Sequence, residues 1–382
     1  MASACPKIAL KADSFASMTN ADKKALYLLS RCEGIGPMAL NQLLEHLECF
    51  HDLLELSSEQ VQHKLGRSMA KLAPFFSLKW RAQCLAEFDR LATQNIRVLF
   101  KGDNGYPPLL ASLKDAPFVL YTSGKPISFD RRFLSIVGTR TMTAYGKRVV
   151  EQLLAGLDPN QVSIVSGLAK GVDAHAQSTA LEMGFEVLSV VAHGLDRTYP
   201  VDHRALRQHI EQQGGTVSEF FNGVQPLAGH FIARNRIIAG LSEATLIIES
   251  AQSGGSLTTA HFAHGYERML FAVPGRLTDN FSSGCNRLIA DLKALPYSGP
   301  ETLIDALSLQ QSAAKKGRTR VPKFKTPGDE KLYNHLVKHG RVYPSQLLRE
   351  LKLEKQVIYN ALLNLTLEGA IVHHKDNSYE VI

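Results

Sequence analysis

The chain has 382 residues, 45% hydrophobic and 21% charged; this is enough apolar material for a full core and excludes a largely disordered chain. Forty-three Lys and Arg against 36 Asp and Glu give a net charge of +7, a balance that permits a polyanionic partner without demonstrating one. The five cysteines (Cys5, Cys32, Cys49, Cys84 and Cys285) form no C-x-x-C pair, so a disulfide framework and a structural zinc site are not expected, and a reducing cytoplasm suits the chain.

Residues 1–20 carry scattered polar side chains and no continuous apolar stretch, so they read as a tail rather than a secretory signal. No run approaches about 18 apolar residues, and no membrane span is expected. Residues 21–95 show helical periodicity, as in ALYLLSRC and ALNQLLEHL. Within them GIGPMALNQLL (Gly34 to Leu44) suits a helix-hairpin-helix or a small helical domain, its glycine turn able to present N–H groups to a phosphate.

Residues 96–309 alternate short β-rich runs with helical segments. The runs are FLSIV, VSIVS, VLSVVA, TVSEF, TLIIE and MLFAV, nearly all apolar, as strands buried on both faces should be. Such alternation predicts an α/β fold built on an extended Rossmann-like parallel sheet. In that fold ligands sit at the carboxyl ends of the strands, where helix N-termini point backbone N–H groups at them.

Five strand ends or helix starts are built for this. SIVGTRTMTAYG places Gly138, Thr139 and Arg140 after a strand, with a helix from about Ala144; the glycine lets backbone approach a ligand and the arginine can grip a phosphate with a bidentate fork. SIVSGLAKGVDAHA puts Lys170 between Gly167 and Gly171. VVAHGLDRTYP supplies Gly194, Asp196, Arg197 and Tyr199. HFIARNRIIAGLS groups Phe231, Arg234, Asn235 and Arg236, and IIESAQSGGSLTTA ends a strand in Gly254-Gly255-Ser256 before a helix. Any one glycine after a strand is an ordinary tight turn. Five together favour a polyanion cradle.

The sequence lacks G-x-x-x-x-G-K-[ST], and G-x-G-x-x-G is missing after the first of these strands, so a P-loop nucleotide site and a dinucleotide cofactor are both disfavoured. Asp173 and His175 lie early in a predicted helix with no companion ligand cluster, which speaks against a metal. No cofactor, metal or catalytic residue is assigned. Basic groups beside an aromatic face fit single-stranded nucleic acid best. Phe231 is the stacking candidate, although a core role is open to it, and Arg234 and Arg236 could instead pair with Glu219 or Glu249.

Residues 310–326 hold Lys315, Lys316, Arg318, Arg320, Lys323 and Lys325 with no acid, and read as a basic linker. Residues 327–382 predict three helices and a hairpin turned at Asp376-Asn377, a winged-helix domain. Seven basic and seven acidic residues cancel there, a poor phosphate footprint, so protein contact suits it at least as well as DNA.

The segments YPPLLASLKDAPFVLY, SIVGTR, VSGLAKGVDAHA, GLDRTYP, FIARNRIIAGLS, IIESAQSGGSLTTA and VPGRLTDNFSSGCNRLI span Tyr106 to Ile289. In that order they resemble the DprA/Smf family of bacterial DNA-processing proteins. The resemblance implies a non-enzymatic, cytoplasmic protein of natural transformation and recombination. Such a protein binds and protects single-stranded DNA, forms a homodimer through the Rossmann-like domain, and helps load the RecA recombinase. It implies DNA contacts from Arg140 and Phe231, with the GLDRTYP loop lining the pocket. Three positions depart from the family pattern: His203 where asparagine is frequent, Ile232 in place of a proline, and the neutral Ala228 where some members carry a basic residue. The helix over Leu257 to Tyr266 is a candidate surface for the dimer or the recombinase. The competing class is a nucleotide-binding or N-glycosidic-bond-cleaving enzyme on a related fold, for which Glu249 or Asp173 would supply the carboxylate. A protein-bridging scaffold that contacts RecA without binding DNA is a third.

Overall fold

Strands whose residues are apolar on both faces must be covered on both sides, and the fold follows from that requirement. In the computed structural model, which describes residues 18–44, 51–55, 57–59, 69–309, 324–368, 370–374 and 378–381, the six expected runs form β3 (Arg132–Val137), β4 (Val162–Ser166), β5 (Glu186–Val191), β6 (Gly215–Ser218), β7 (Ala244–Ile247) and β8 (Met269–Ala272). They are the centre of a nine-stranded sheet completed by β1 (Arg97–Phe100), β2 (Val119–Gly124) and the two-residue β9 (Leu295–Pro296), in the order β1-β2-β6-β5-β4-β3-β7-β8-β9. From β6 to β9 every pairing is parallel. The addition of β2 to β6, and of β1 to β2, is antiparallel. This hairpin edge is the departure from the expected parallel sheet.

Alternate residues along each strand serve the two faces. Leu134, Ile136 and Ile164 join one apolar cluster with Val150 and Leu153 of α4 (Ala144–Gly156), Ala176 and Ala180 of α5 (Val172–Glu182), and Ile210 of α6 (Arg204–Gln213). Phe133, Val137 and Val165 join the other with Ile237 and Ile238 of α7 (Ala228–Leu241), and with Ala260 and Ala263 of α8 (Ser256–Gly265). The period of two thus produces a three-layer sandwich.

The N-terminal helices α1 (Asn20–Ser30), α2 (Pro37–Leu44) and α3 (Leu78–Leu91) contribute to the first of these clusters. Residues Ala25 to Leu29 of α1 are all buried, because α1 is enclosed by α3 on one side and β2 on the other. The Tyr27 ring meets Phe88 of α3 at 4.8 Å and Tyr121 of β2 at 6.4 Å. A capping box starts the helix: Asp22 N–H donates to Thr19 Oγ1, and Thr19 N–H donates to Asp22 Oδ2.

The chain divides into two compact units, Met1–Leu309 and Gln310–Ile382. Most of the basic stretch, residues 310–323, and the hairpin turn at 376–377 lie outside the described residues. In the second unit α11 (Pro327–His339), α12 (Pro344–Glu350) and α13 (Lys355–Leu367) precede the antiparallel pair β10 (Ile371–His373) and β11 (Tyr379–Val381). The first unit also holds α9 (Ser283–Ala290), α10 (Pro300–Ala306) and short helical turns such as Asp52–Glu55 and Pro108–Ala111. A single bridge from Val342 to Tyr379 ties the α11–α12 connection to the hairpin, completing the winged-helix order of elements. Its core is its own, built on Leu332, Leu336, Leu347, Ile358, Leu362 and Ile371.

Candidate functional site

The chain runs outward from β3 through β4, β5 and β6, then returns to the far side of β3 to form β7, β8 and β9. The order reverses between β3 and β7, and a crevice must open there at the carboxyl ends of the strands. A cleft of about 670 Å³ occupies that place. One wall is the turn Gly138-Thr139-Arg140 after β3. The opposite wall is the segment after β7, including Gly254 and Gly255, and Phe231 and Asn235 of α7 close the side. Tyr199 stands at the rim.

Glycines are required where backbone passes close to packed groups. A Cβ on Gly138 would stand 2.6 Å from Val172 Cγ2, and one on Gly167 would stand 2.6 Å from Arg234 Nη1 and 2.7 Å from Asp173 Oδ2. Gly171 has φ +79 and would carry a Cβ 2.6 Å from the Arg140 carbonyl carbon, so both conformation and space exclude a side chain there.

The turn after β3 is held by main chain and by one buried carboxylate. Thr139 N–H donates to Glu249 O at 2.8 Å, and Val172 N–H donates to Thr139 O at 3.1 Å. Glu249 is buried, accepts from Thr143 N–H at 2.9 Å, and takes a short hydrogen bond from the Thr143 hydroxyl. Thr143 in turn caps α4 by accepting from Tyr145 N–H and Gly146 N–H. Glu249 therefore fastens the first turn of α4 to the end of β7. The carboxylate considered for an enzyme is committed to architecture.

Asp173 has the same fate. It is buried, accepts from Gly167 N–H at 3.1 Å, and is raised above the usual carboxylate range by burial, against the opposing pull of Arg234. Arg234 is itself buried and donates to Gly167 O at 2.6 Å and to Val190 O. Burial pushes its guanidinium down to about 10, the nearby Arg140 adding to the effect and Asp173 opposing it. Arg234 lines the cleft floor and is braced through Nη1 to the Gly167 carbonyl after β4 and the Val190 carbonyl of β5. Arg236 lies outside the cleft lining, paired with Glu219 and donating to Asp115 O. Of the two readings open for it, the structural pair is the one formed.

The remaining predicted residues divide in the same way. Lys170 is exposed and forms an ion pair with Asp202 at 3.2 Å. Arg197 is neutralised by its neighbour Asp196 at 2.8 Å, and Asp196 also accepts from Gly223 N–H at 2.9 Å. Gly194 is buried beneath them. None of these four lines the cleft. Arg140 is different. It is exposed, lines the cleft, and has no acidic partner among the described residues. Its guanidinium lies 5.7 Å from the Phe231 ring centroid, and the Tyr199 ring lies 5.6 Å from Phe231 at 56°. A cation and two aromatic faces thus converge on one edge of the cleft, a combination suited to an anionic chain that also carries flat rings.

The wall after β7 continues into the start of α8, where no side chain caps the helix after Gly255. Thr258 and Thr259 face the cleft, and Asn235 donates to Gly255 O at 3.4 Å. The large apolar residues of α8, Leu257 and Phe262, are half-buried.

His193 escaped the sequence reading of the site, and His203 entered it only as a departure from the family pattern. His193 is buried and accepts from Tyr199 N–H through Nε2 at 3.2 Å, so its Nδ1 carries the proton and donates to Gly194 O at 2.9 Å. Burial holds its pKa below the ordinary imidazole value, with nearby arginine charges adding to the effect. His203, the departure from the family pattern, donates through Nδ1 to Leu168 O at 2.8 Å. Leu168 has φ +56, uncommon for a residue with a Cβ, and the bond helps to hold that turn. For His193 the only sequence signal was its position directly before the GLDRTYP segment.

The sequence profile of the family described as DNA recombination-mediator protein A matches residues 97–308. The chain is 38% identical over 203 residues to the DNA processing protein DprA of Streptococcus pneumoniae, an alignment covering 53% of this chain and 72% of that protein. The X-ray structure of DprA from Streptococcus pneumoniae superposes with a TM-score of 0.63 at 30% identity, over 75% of this chain and 98% of the other. A structure of DNA processing protein A from Helicobacter pylori, reported for its single-stranded DNA binding mode, superposes with a TM-score of 0.51 at 33% identity, over 56% of this chain and 95% of the other.

Proposed function

Since the chain belongs to the DNA recombination-mediator protein A family, we propose that the cleft between β3 and β7 binds single-stranded DNA. The observation that carries this reading is the convergence of the unneutralised Arg140 with the Phe231 and Tyr199 rings at the cleft edge. A base stacks on the aromatic pair, contributing about 1–3 kcal/mol. Arg140 grips an adjacent phosphate, and the N-terminus of α8, through Ser256 and Thr258, lines the same anionic track. The paired Lys170 and Arg197 contribute to the surrounding field rather than to direct grip.

The wider role is protection of incoming DNA and loading of the RecA recombinase, by a cytoplasmic homodimer without catalytic activity. Residues 21–95 and 327–382 serve as a helical and a winged-helix accessory domain to the 96–309 DNA-binding domain, with 310–326 as a basic tether. The alternative of a nucleotide-cleaving enzyme loses support because Glu249 and Asp173, its two candidate carboxylates, are both buried and hydrogen-bonded to backbone.

The test is anisotropy with a labelled single-stranded oligonucleotide and its duplex across a salt series. Preference for the single strand is expected, with a log–log slope near −0.7 for each phosphate engaged. Equal, weak binding to both forms would overturn the reading.

A further inference from the structure

Tyr199 belongs to the loop after β5, and a loop of this kind has no ladder to fix its direction. Residues 194–200 are instead tied laterally to residues 223 and 224, through Gly194 N–H to Val224 O at 3.1 Å and Gly223 N–H to Asp196 at 2.9 Å, and held from beneath by one side chain of α6. Arg207 is 8% exposed. Its Nη2 donates to Leu195 O at 2.9 Å and its Nη1 donates to Arg197 O, with Thr198 Oγ1 at 3.4 Å. The guanidinium is aimed by Glu211, one helical turn on, which accepts from Nε at 2.8 Å. Glu211 is held in turn by the Ser123 hydroxyl of β2 at 2.6 Å. Two alternate carbonyls, at 195 and 197, are therefore drawn inward to the same planar fork. His193 takes the Tyr199 N–H at 3.2 Å from the other end of the loop, and the Tyr199 ring, 44% exposed, is left at the cleft rim against Phe231.

We infer that Arg207 is a positioning residue for DNA binding: buried under the loop and outside the cleft lining, it sets the place of the Tyr199 ring. This rests on the proposed single-strand reading. A lysine cannot replace it, because an ammonium has no planar fork to serve two fixed carbonyls while keeping a third bond to Glu211.

The experiment uses the full chain with Arg207→Lys and Arg207→Met, Tyr199→Ala, the two Arg207/Tyr199 double variants, and Phe231→Ala as the control on the site. Hydrogen exchange of residues 194–200 without DNA is measured first, then affinity for a single-stranded oligonucleotide across salt. Arg207→Lys, which keeps the charge and is the milder change for folding, is expected to speed exchange in the loop. It should also weaken binding about tenfold, within the range of one stacked base, with the salt slope unchanged and no further loss when Tyr199→Ala is present. Unchanged exchange in both Arg207 variants, or unchanged affinity despite faster exchange, would overturn the inference. So would a loss that adds to that of Tyr199→Ala, or a shallower salt slope, since the latter would mean that Arg207 meets a phosphate itself. If Phe231→Ala binds like the unaltered chain, the site reading has failed; the loop exchange still reports on whether Arg207 holds the loop.

Discussion

The cleft and the C-terminal unit use charge in opposite ways. Around the cleft, charged groups are taken out of water and used as fasteners. Glu249 holds α4, Asp173 and Arg234 hold the loop after β4, and Arg207 holds the loop after β5. Among the described residues of the C-terminal unit the buried polar side chains are Asp329, which closes the capping box of α11, and Ser378, while the charged contacts lie nearer the surface: Lys325 with Glu368 at 2.8 Å, and Glu350 and Glu380 against the His335 and His374 rings at 3.0 and 3.2 Å. Exposed pairs contribute little to stability, whereas removing one member of a buried set leaves the other without a partner. Arg140, left without an acid among the described residues, stands out against a region where the buried charges are already engaged.

The largest effect should follow from breaking a fastener. Glu249→Ala leaves Thr143 N–H and hydroxyl without their acceptor, and a loss of about 2–4 kcal/mol is expected, read as a lower midpoint in denaturant. A midpoint equal to the parent would mean that α4 holds its first turn without the carboxylate.

Next comes the cleft edge. Phe231→Ala and Arg140→Ala should each weaken single-strand binding, by about 1–3 kcal/mol for the aromatic face, without moving the unfolding midpoint by a comparable amount. A folded double variant with parental affinity would show that DNA is held elsewhere.

A smaller effect is expected from pH. His193 is neutral in the folded chain with its pKa below the ordinary value, so the unfolded state binds the proton more readily. Its contribution to stability is present above the ordinary imidazole pKa and is lost as pH falls through the folded pKa. Because Nε2 must accept from Tyr199 N–H, single-strand binding should weaken over the same acidic range. A His193→Gln chain should lose that component of the pH profile; an identical profile in parent and variant would remove His193 from the account.

The smallest effect belongs to α13. Lys355→Glu reverses the one basic side chain of this helix, yet affinity for the single strand should stay within about twofold, since the charge-balanced C-terminal unit is a poor phosphate footprint and an exposed charge is screened by salt. A larger fall would bring the winged-helix unit into the DNA track.

Much of the architecture was legible because it is local. Continuous apolar runs marked β3 to β8, and helical periodicity marked the N-terminal helices; the capping boxes of α1 and α11 at Thr19 and Thr326, equally local, were not read. The hairpin edge was harder to read. β1 is only four residues long and only Phe100 in it is fully buried, and β2 follows Pro117 and ends in Thr-Ser-Gly, a composition equally suited to a loop.

The glycine-bearing loops, with Arg140 in one of them, followed from residue type and order alone, since backbone freedom and strand length are local properties. Which arginine faces the cleft did not. Arg234 and Arg236 are two positions apart on one helix, yet one braces the cleft floor and the other pairs with Glu219 outside it. Arg207 carried no motif at all. The partners that decide these roles, Gly167, Val190, Glu219 and Leu195, come from other elements. A charged side chain takes its function from what desolvates and pairs with it, and only the packed sheet brings those groups together.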